Sequence, residues 1–223
     1  EIMKNLKRRF FIKSSSLVAG GLVLPSFNIN RMANSANNKK LKVSVVGCGG
    51  RGTGAAVQAL RADENVELVA MADAFKDRLE KSLNAIKQEF EGEKKIEVKE
   101  KNMLGGFNGY KKAIDLADVV ILATPPGFRP LHFKYAIDQD KHVFMEKPVA
   151  TDAHGVRQVL ETAKVANQKK LNVVVGLQRR YQYSYLNILK QVRRGVIGKI
   201  TSGQVRWNSS GVWVKERQPN QTE

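Results

Sequence analysis

Short apolar runs alternate with longer amphipathic segments through the central part of the chain. An apolar run at 42–46 enters a glycine-rich turn and a helical pattern at 53–62, and a second apolar run follows at 66–72. Residues 75–90 place their apolar side chains at helical spacing, which predicts an amphipathic crossover helix. Continuous apolar strands that alternate with such helices predict an α/β fold with a Rossmann-type, doubly wound parallel sheet.

The same alternation continues to residue 178, so we assign 41–178 to one domain. A charged stretch at 91–101 predicts a loop with a short strand near 96–98. Further helices are predicted at 109–116, 129–139 and 152–169, and further strands at 118–124, at 172–178, and from 142 to the charged pair at 146–147.

The pattern changes after residue 178. A helix at 186–194, a turn, and strand-like alternation at 199–208 predict the start of an α+β sheet domain. Residues 179–223 would form only the beginning of this domain, because a first strand needs sheet partners.

Composition supports a globular protein and argues against nucleic-acid binding. Hydrophobic residues make up 42% of the chain, which is enough for a core. The formal charge is +17, but residues 1–40 carry eight Lys or Arg against one Glu, and the rest is interleaved with acidic residues. No nucleic-acid motif accompanies this charge, so we expect no nucleic-acid partner.

A metal site or a disulfide is not expected. Cys48 is the only cysteine in the sequence, and His132, His142 and His154 are spread along it without metal-ligand spacing. Cys48 lies inside the glycine-rich turn, where a small side chain fits, so we do not predict it to be a nucleophile.

Residues 1–40 resemble a twin-arginine export signal followed by a polar linker. Arg8, Arg9 and Lys13 match that signal, and the apolar run at 17–24 is too short to span a bilayer. We expect this segment to engage the Tat export machinery and to direct the protein to the periplasm without a stable membrane anchor. An amphipathic or disordered tail is the alternative interpretation.

Gly47, Gly49 and Gly52 fill the G-x-G-x-x-G template of a dinucleotide-binding βαβ unit. The first glycine allows the turn, the second lets a pyrophosphate approach the backbone, and the third lets the helix pack closely. Asp73 follows Gly52 by 21 residues, where a ribose-binding acid is expected. Its charge favours NAD over NADP, whereas Lys76 could turn toward a 2′-phosphate. A glycine-rich turn without a ligand is the alternative.

Two later strands end in residues that suit a binding cleft. Pro125 and the residues after it start a rigid loop at the carboxyl end of one strand, where ligands bind in open α/β sheets. Glu146 and Lys147 end the next strand. A buried strand seldom ends in two charges unless they face a cleft or pair with each other, so Lys147 is our candidate for the chemical group.

In this order and spacing, the motifs resemble the Gfo/Idh/MocA family of NAD(P)-dependent oxidoreductases, from residue 42 to at least 207. The resemblance implies that Thr124 and Pro125 line the nicotinamide half, and that Glu146 and Lys147 lie beside nicotinamide and substrate. It suggests that Arg180 faces the cleft, although a structural salt bridge explains Arg180 equally well. The residues that would hold the pyrophosphate are Gly47, Cys48, Gly49, Gly50, Arg51 and Gly52.

The family resemblance also supplies an expected activity. Together with the export signal, it implies an exported NAD(P)-dependent dehydrogenase that acts on a secondary hydroxyl of a sugar, cyclitol or related polyol, and a homo-oligomer when full length. The resemblance also implies that 179–223 begin a C-terminal substrate and oligomerisation domain that is incomplete here, so we expect the 223-residue sequence to be a fragment. Lys147 would take the hydroxyl proton, because partial burial and a nearby oxidised nicotinamide favour a neutral amine. The alternatives are an NAD-dependent glycosidase of the same fold that works by oxidation and elimination, and a non-catalytic nucleotide-binding protein.

Overall fold

A computed structural model of the chain describes residues 40–208. The described part divides after Gly176 into two units, a large first unit and a small second one that begins at Leu177. The predicted signal at 1–40 lies outside the described residues, except for Lys40. The assignment of a signal to 1–40 and of a substrate domain to 179–223 stays a prediction.

The first unit contains one six-stranded parallel sheet in the order β3-β2-β1-β4-β5-β6. This order defines the doubly wound Rossmann arrangement and confirms the predicted fold class. The strands are β1 (Leu41–Val46), β2 (Val66–Asp73), β3 (Met103–Gly105), β4 (Val119–Leu122), β5 (His142–Met145) and β6 (Val173–Val175).

Helices cover both faces of the sheet. The helices of the first unit are α1 (Gly50–Ala62), α2 (Lys76–Glu89), α3 (Gly109–Asp115), α4 (Arg129–Asp138) and α5 (Ala153–Gln168). One buried cluster joins α1 and α2 to one face, and a second joins α3, α4 and α5 to the other. Because every strand is parallel, all six carboxyl ends meet at one edge, where ligands bind in open α/β sheets.

Two boundaries in this unit differ from the sequence-based prediction. Helix α1 begins at Gly50, three residues before the predicted start at 53, because the close packing of Gly52 against the Gly47 carbonyl fixes the first turn of the helix. The strand expected near 96–98 is reduced to a single bridge between Leu68 and Ile96. The paired strand is β3, which a short 3₁₀ turn (Glu100–Asn102) delivers to the edge of β2.

The second unit contains a 3₁₀ turn (Gln178–Arg180) and helix α6 (Tyr183–Arg193). The strand predicted at 199–208 was wrong, since these residues have no strand conformation. A strand needs a hydrogen-bonding neighbour, and the part of the chain that the structure describes supplies none for them. Within residues 40–208, no helix combines the length and the apolar character needed to cross a bilayer.

Candidate dinucleotide and active site

The glycine turn after β1 is built so tightly that two of its positions require glycine. Gly47 has a positive φ of 97°, and a Cβ on it would lie 2.5 Å from the backbone nitrogen of Thr124. A Cβ on Gly52 would lie 1.8 Å from the carbonyl oxygen of Gly47. The turn is therefore locked against the end of β4 on one side and the first turn of α1 on the other.

Two further glycines of the turn, Gly49 and Gly50, have open space beside them. A Cβ on Gly49 would have only the Arg78 guanidinium in reach, at 3.9 Å, and one on Gly50 would meet nothing within 4 Å. Gly49 is the N-cap of α1 and has no side chain to cover the first-turn N–H groups. An uncovered helix start of this kind binds phosphate through its N–H groups and its dipole, so these residues fit a dinucleotide pyrophosphate.

Asp73 lies at the end of β2 with its carboxylate fixed from both sides. Oδ2 accepts a hydrogen bond of 2.7 Å from the Cys48 backbone N–H, and Oδ1 accepts one of 3.0 Å from the Phe75 backbone N–H. The acid predicted to bind ribose is thus tied to the glycine turn, with its remaining lone pairs available to hydroxyl donors.

Cys48 is buried beside Asp73, and its thiol points to the carbonyl oxygen of Ala72 at 3.5 Å. Burial, and next the negative charge of Asp73, raise the pKa of the thiol to about 12. The thiol is therefore protonated at neutral pH, in agreement with the expectation that Cys48 is not a nucleophile.

Arg78 is a cation near the turn that the sequence analysis missed. It lies in the first turn of α2, with its guanidinium carbon 5.3 Å from the centre of the Phe75 ring. The same guanidinium comes close to Gly49, whereas the cation expected near this position from the sequence is Lys76. Arg78 follows the exposed Phe75 by three residues, and side chains at this spacing are neighbours on a helix surface. This spacing is the sequence signal that could have identified Arg78.

Glu146 follows β5 and pairs with the glycine turn instead of Lys147. Its carboxylate oxygen Oε1 lies 2.7 Å from both Nε and Nη2 of Arg51. Glu146 is buried, while the Arg51 side chain stays 56% exposed. Arg51 and Glu146, both predicted site residues, therefore pair with each other at the edge of the sheet, between the ends of β1 and β5.

Arg129, at the start of α4, is a second residue that the sequence analysis missed. Only 2% of it is exposed, and its guanidinium donates to the backbone carbonyls of Thr124, Glu146 and Pro148. Burial lowers its pKa, and the neighbouring Glu146 carboxylate acts in the opposite direction. Its place on the buried stripe of α4, four residues before Phe133, was the available signal.

Thr124 lies just past β4, and its hydroxyl is 3.3 Å from Nδ1 of the buried His132. Burial, and then the positive charge of Arg129, lower the pKa of His132 to about 4, so its ring is neutral at pH 7. Pro125 precedes a 3₁₀ turn (Pro126–Phe128) and is exposed. The Thr124 hydroxyl is thus within hydrogen-bond distance of an uncharged imidazole ring.

Lys147 lies next to Glu146 at the edge of the sheet, in a cis peptide bond with Pro148. Strands β4 and β5 are adjacent and pair Leu122 with Met145, so the residues that follow, including Thr124 and Lys147, leave neighbouring strand ends. Lys147 itself is exposed. The partial burial expected for Lys147 from the sequence is not found within residues 40–208.

The structure brings most of the predicted site residues to one edge of the first unit. The carboxyl ends of β1, β2, β4 and β5 carry these residues: the glycine turn, Asp73, Thr124, Pro125, Glu146 and Lys147. Arg180 belongs to the second unit, where it is exposed at the end of the 3₁₀ turn, and its role stays a prediction. Among residues 40–208, no three His, Cys, Asp or Glu side chains converge on a possible metal position.

A Rossmann sheet with this glycine turn after β1, and with a lysine at the same edge after β5, is the arrangement of a dinucleotide-binding domain. The chain belongs to the Gfo/Idh/MocA oxidoreductase family, whose NAD-binding Rossmann fold matches residues 41–177. This membership confirms the family resemblance and the NAD-binding fold that the motifs indicated.

Curated relatives include enzymes named for a different reaction. An alpha-N-acetylgalactosaminidase from Shewanella oneidensis is 26% identical, over 92% of this chain and 46% of that protein. Other relatives at similar identity are named glycosyl hydrolase family 109 proteins. The chain spans about half the length of the curated relatives it matches.

Solved structures of similar fold include polyol dehydrogenases. Scyllo-inositol dehydrogenase from Lactobacillus casei, with bound NAD(H) and scyllo-inositol, is 25% identical, with a TM-score of 0.58 over 73% of this chain and 44% of that one. Myo-inositol 2-dehydrogenase from Lactobacillus plantarum is 28% identical, with a TM-score of 0.58 over 73% of this chain and 43% of that one.

Proposed function

We propose that this chain is the cofactor-binding part of an NAD-dependent oxidoreductase that acts on a secondary hydroxyl of a sugar, cyclitol or related polyol. One observation carries the proposal: the glycine turn and Lys147 leave the same edge of the sheet, joined through the pair of Arg51 and Glu146. The inositol substrates in the names of similar structures support the substrate class.

The first-turn N–H groups of α1 would bind the pyrophosphate, and the Asp73 carboxylate would accept hydrogen bonds from the ribose hydroxyls. Bound NAD supplies a carbon that accepts a hydride. We propose NAD as the cofactor because the Asp73 carboxylate repels a 2′-phosphate. The guanidinium of Arg78, near Gly49, is a positive charge that would reduce this preference for NAD.

Lys147 is the proposed catalytic base. Its Nζ would take the proton of the substrate hydroxyl as the C–H bond gives its hydride away, so that the hydroxyl becomes a ketone and Nζ an ammonium group. The reverse reaction returns that proton to the oxygen. Because Glu146 is held by Arg51, its carboxylate is not drawn into an ion pair with the Lys147 ammonium group.

A glycosidase is the second candidate, and the names of the curated relatives favour it. It would begin with the same oxidation. The resulting ketone acidifies the neighbouring C–H, the leaving group departs by elimination, water adds to the double bond, and reversal of the oxidation restores the hydroxyl. The sum is hydrolysis without net oxidation, and Lys147 would serve in its first and last steps.

One assay separates the two candidates and tests Lys147. The full-length protein is incubated with NAD and either an inositol panel or nitrophenyl N-acetyl-α-galactosaminide, while NADH and nitrophenol are measured. Stoichiometric NADH supports the dehydrogenase, and nitrophenol without NADH accumulation supports the glycosidase. Lys147→Ala should abolish either signal by about 100-fold or more. Unchanged turnover in Lys147→Ala would contradict the proposed role.

We further propose export to the periplasm and assembly into homo-oligomers. The motif around Arg8 and Arg9 supports export, and folded Tat substrates would carry their cofactor with them. Replacing Arg8 and Arg9 with lysine should retain the protein in the cytoplasm of its host. Light scattering of the full-length protein tests assembly, and a monomer would contradict it.

A further inference from the structure

We propose that Arg129 is a positioning residue that holds the candidate base Lys147 against the Thr124 loop. Its guanidinium donates through Nη1 to the carbonyls of Glu146 and Pro148, the latter at 3.0 Å, and through Nη2 to the carbonyl of Thr124. The two carbonyls bound by Nη1 are those of the residues on either side of Lys147. One buried side chain therefore fixes both ends of the segment that carries Lys147.

The guanidinium suits this position better than any other side chain. Arginine is planar and presents several N–H donors in a fixed geometry, so one side chain can hold carbonyls from two loops at set directions. A lysine ammonium is a point charge without this fixed fork. An uncharged side chain of similar length would leave the three carbonyls with fewer donors at the buried edge of the sheet.

The charges around Arg129 indicate that this residue positions the two loops more than it stabilises the fold. Arg129 is 2% exposed, and its Nε has no hydrogen-bond partner among residues 40–208. A buried cation with an unpaired N–H is costly, and well-packed apolar residues often replace such groups without loss of stability. The neighbouring Glu146 carboxylate, shared with Arg51, compensates the charge where the two loops meet.

This inference rests on the proposed function of Lys147, so its test must separate the two. In the full-length protein, lysines are reductively methylated with ¹³C, and the Lys147 signal is assigned by its loss in Lys147→Arg. NAD is added, and the shift of that signal is compared between wild type, Arg129→Gln and Arg129→Lys. Ile137→Val on the same helix is the matched control, because Ile137 is buried and its side chain makes none of these hydrogen bonds.

We expect NAD to shift the Lys147 signal in wild type and in Ile137→Val. Arg129→Gln should lose most of that shift, and Arg129→Lys should retain an intermediate part. NAD-saturated turnover should fall by about 100-fold in Arg129→Gln, since a displacement near 1 Å can cost that much. Added guanidinium should restore turnover in Arg129→Ala but not raise it in Ile137→Val.

Two results would overturn the inference in different ways. A Lys147 signal in folded Arg129→Gln that responds to NAD as in wild type would contradict the role of Arg129 alone. A wild-type Lys147 signal that ignores NAD, while calorimetry shows NAD binding, would contradict both the role of Lys147 and that of Arg129. If Arg129→Gln does not fold, Arg129→Lys, which keeps the charge, decides by the same comparison.

Discussion

Arg51 and Glu146 join the first turn of α1 to the end of β5 through two contacts of 2.7 Å to one carboxylate oxygen. They are 95 residues apart in sequence, and they come from the two motifs that identify the candidate site. The pair therefore couples the place where the pyrophosphate would bind to the segment that carries Lys147. It also explains how a buried carboxylate is tolerated at the end of a parallel strand.

This pair should be measurable as an interaction energy. Arg51→Met should lower the free energy of unfolding by about 1 kcal/mol, a modest value because Arg51 is more than half exposed. The cost should largely disappear in a Glu146→Gln background, where the buried charge is removed. Urea unfolding of the wild type, both single variants and the double variant gives the coupling. Strictly additive effects would contradict the pairing.

Gly52 and Gly50 provide a matched pair of substitutions in the turn. Gly52→Ala would bring a Cβ within 1.8 Å of the Gly47 carbonyl oxygen, so we expect a loss of about 3 kcal/mol in the free energy of unfolding. Gly50→Ala meets no atom within 4 Å and replaces a poor helix former. Its stability should be unchanged or slightly higher. Equal effects in thermal unfolding would contradict this packing.

Cys48 should react with thiol reagents only when the domain opens. Its pKa of about 12 keeps the thiol protonated through the neutral range, and its side chain is buried. Since the sequence has one cysteine, labelling reports this site alone. The labelling rate should rise with denaturant in parallel with unfolding. Rapid stoichiometric labelling of the folded protein at pH 8 would show that the turn is open.

His132 should make stability fall in mild acid. Its folded pKa is about 4, against an ordinary value of 6.5, so the unfolded chain binds an additional proton between these pH values. Stability from this group is fully present above pH 6.5 and is lost as the pH falls toward 4, by about 3 kcal/mol. Urea unfolding of His132→Asn should show a flatter dependence over this range. An equally steep dependence would assign the loss to other groups.

The sequence allowed the sheet and the glycine turn to be predicted because their signals are local. Continuous apolar runs, such as the one ending at Val46, mark buried parallel strands, and the spacing of Gly47, Gly49 and Gly52 marks the turn. Strand β3 was misplaced because its three residues are only partly buried or exposed, so they carry no apolar run. Its position is set by pairing with β2.

The contacts that organise the candidate site were hidden because they join distant segments. Glu146 was expected to face a cleft or pair with Lys147, but its partner is Arg51, from a motif read as phosphate-binding alone. Arg129 looked like a charged residue at a helix start, and arginine is seldom fully buried. Its role is visible only in the structure, where Arg129 donates hydrogen bonds to the carbonyls of both Thr124 and Glu146.

A substitution at Gly49 tests whether this turn binds NAD. Gly49 has φ −74° and ψ 179°, which suit other residues, and a Cβ there would touch only Arg78 at 3.9 Å, so Gly49→Val should fold normally. Its side chain would nevertheless occupy the space that a pyrophosphate needs. Calorimetric titration of NAD into wild type and Gly49→Val measures this effect.

We expect one NAD per wild-type chain. In Gly49→Val we expect an affinity at least about 100-fold weaker, because backbone contacts to the phosphates are lost, and the same unfolding midpoint. Equal affinity in the two proteins would contradict binding at the glycine turn. A folded wild-type protein that binds no dinucleotide would contradict the proposed function as a whole.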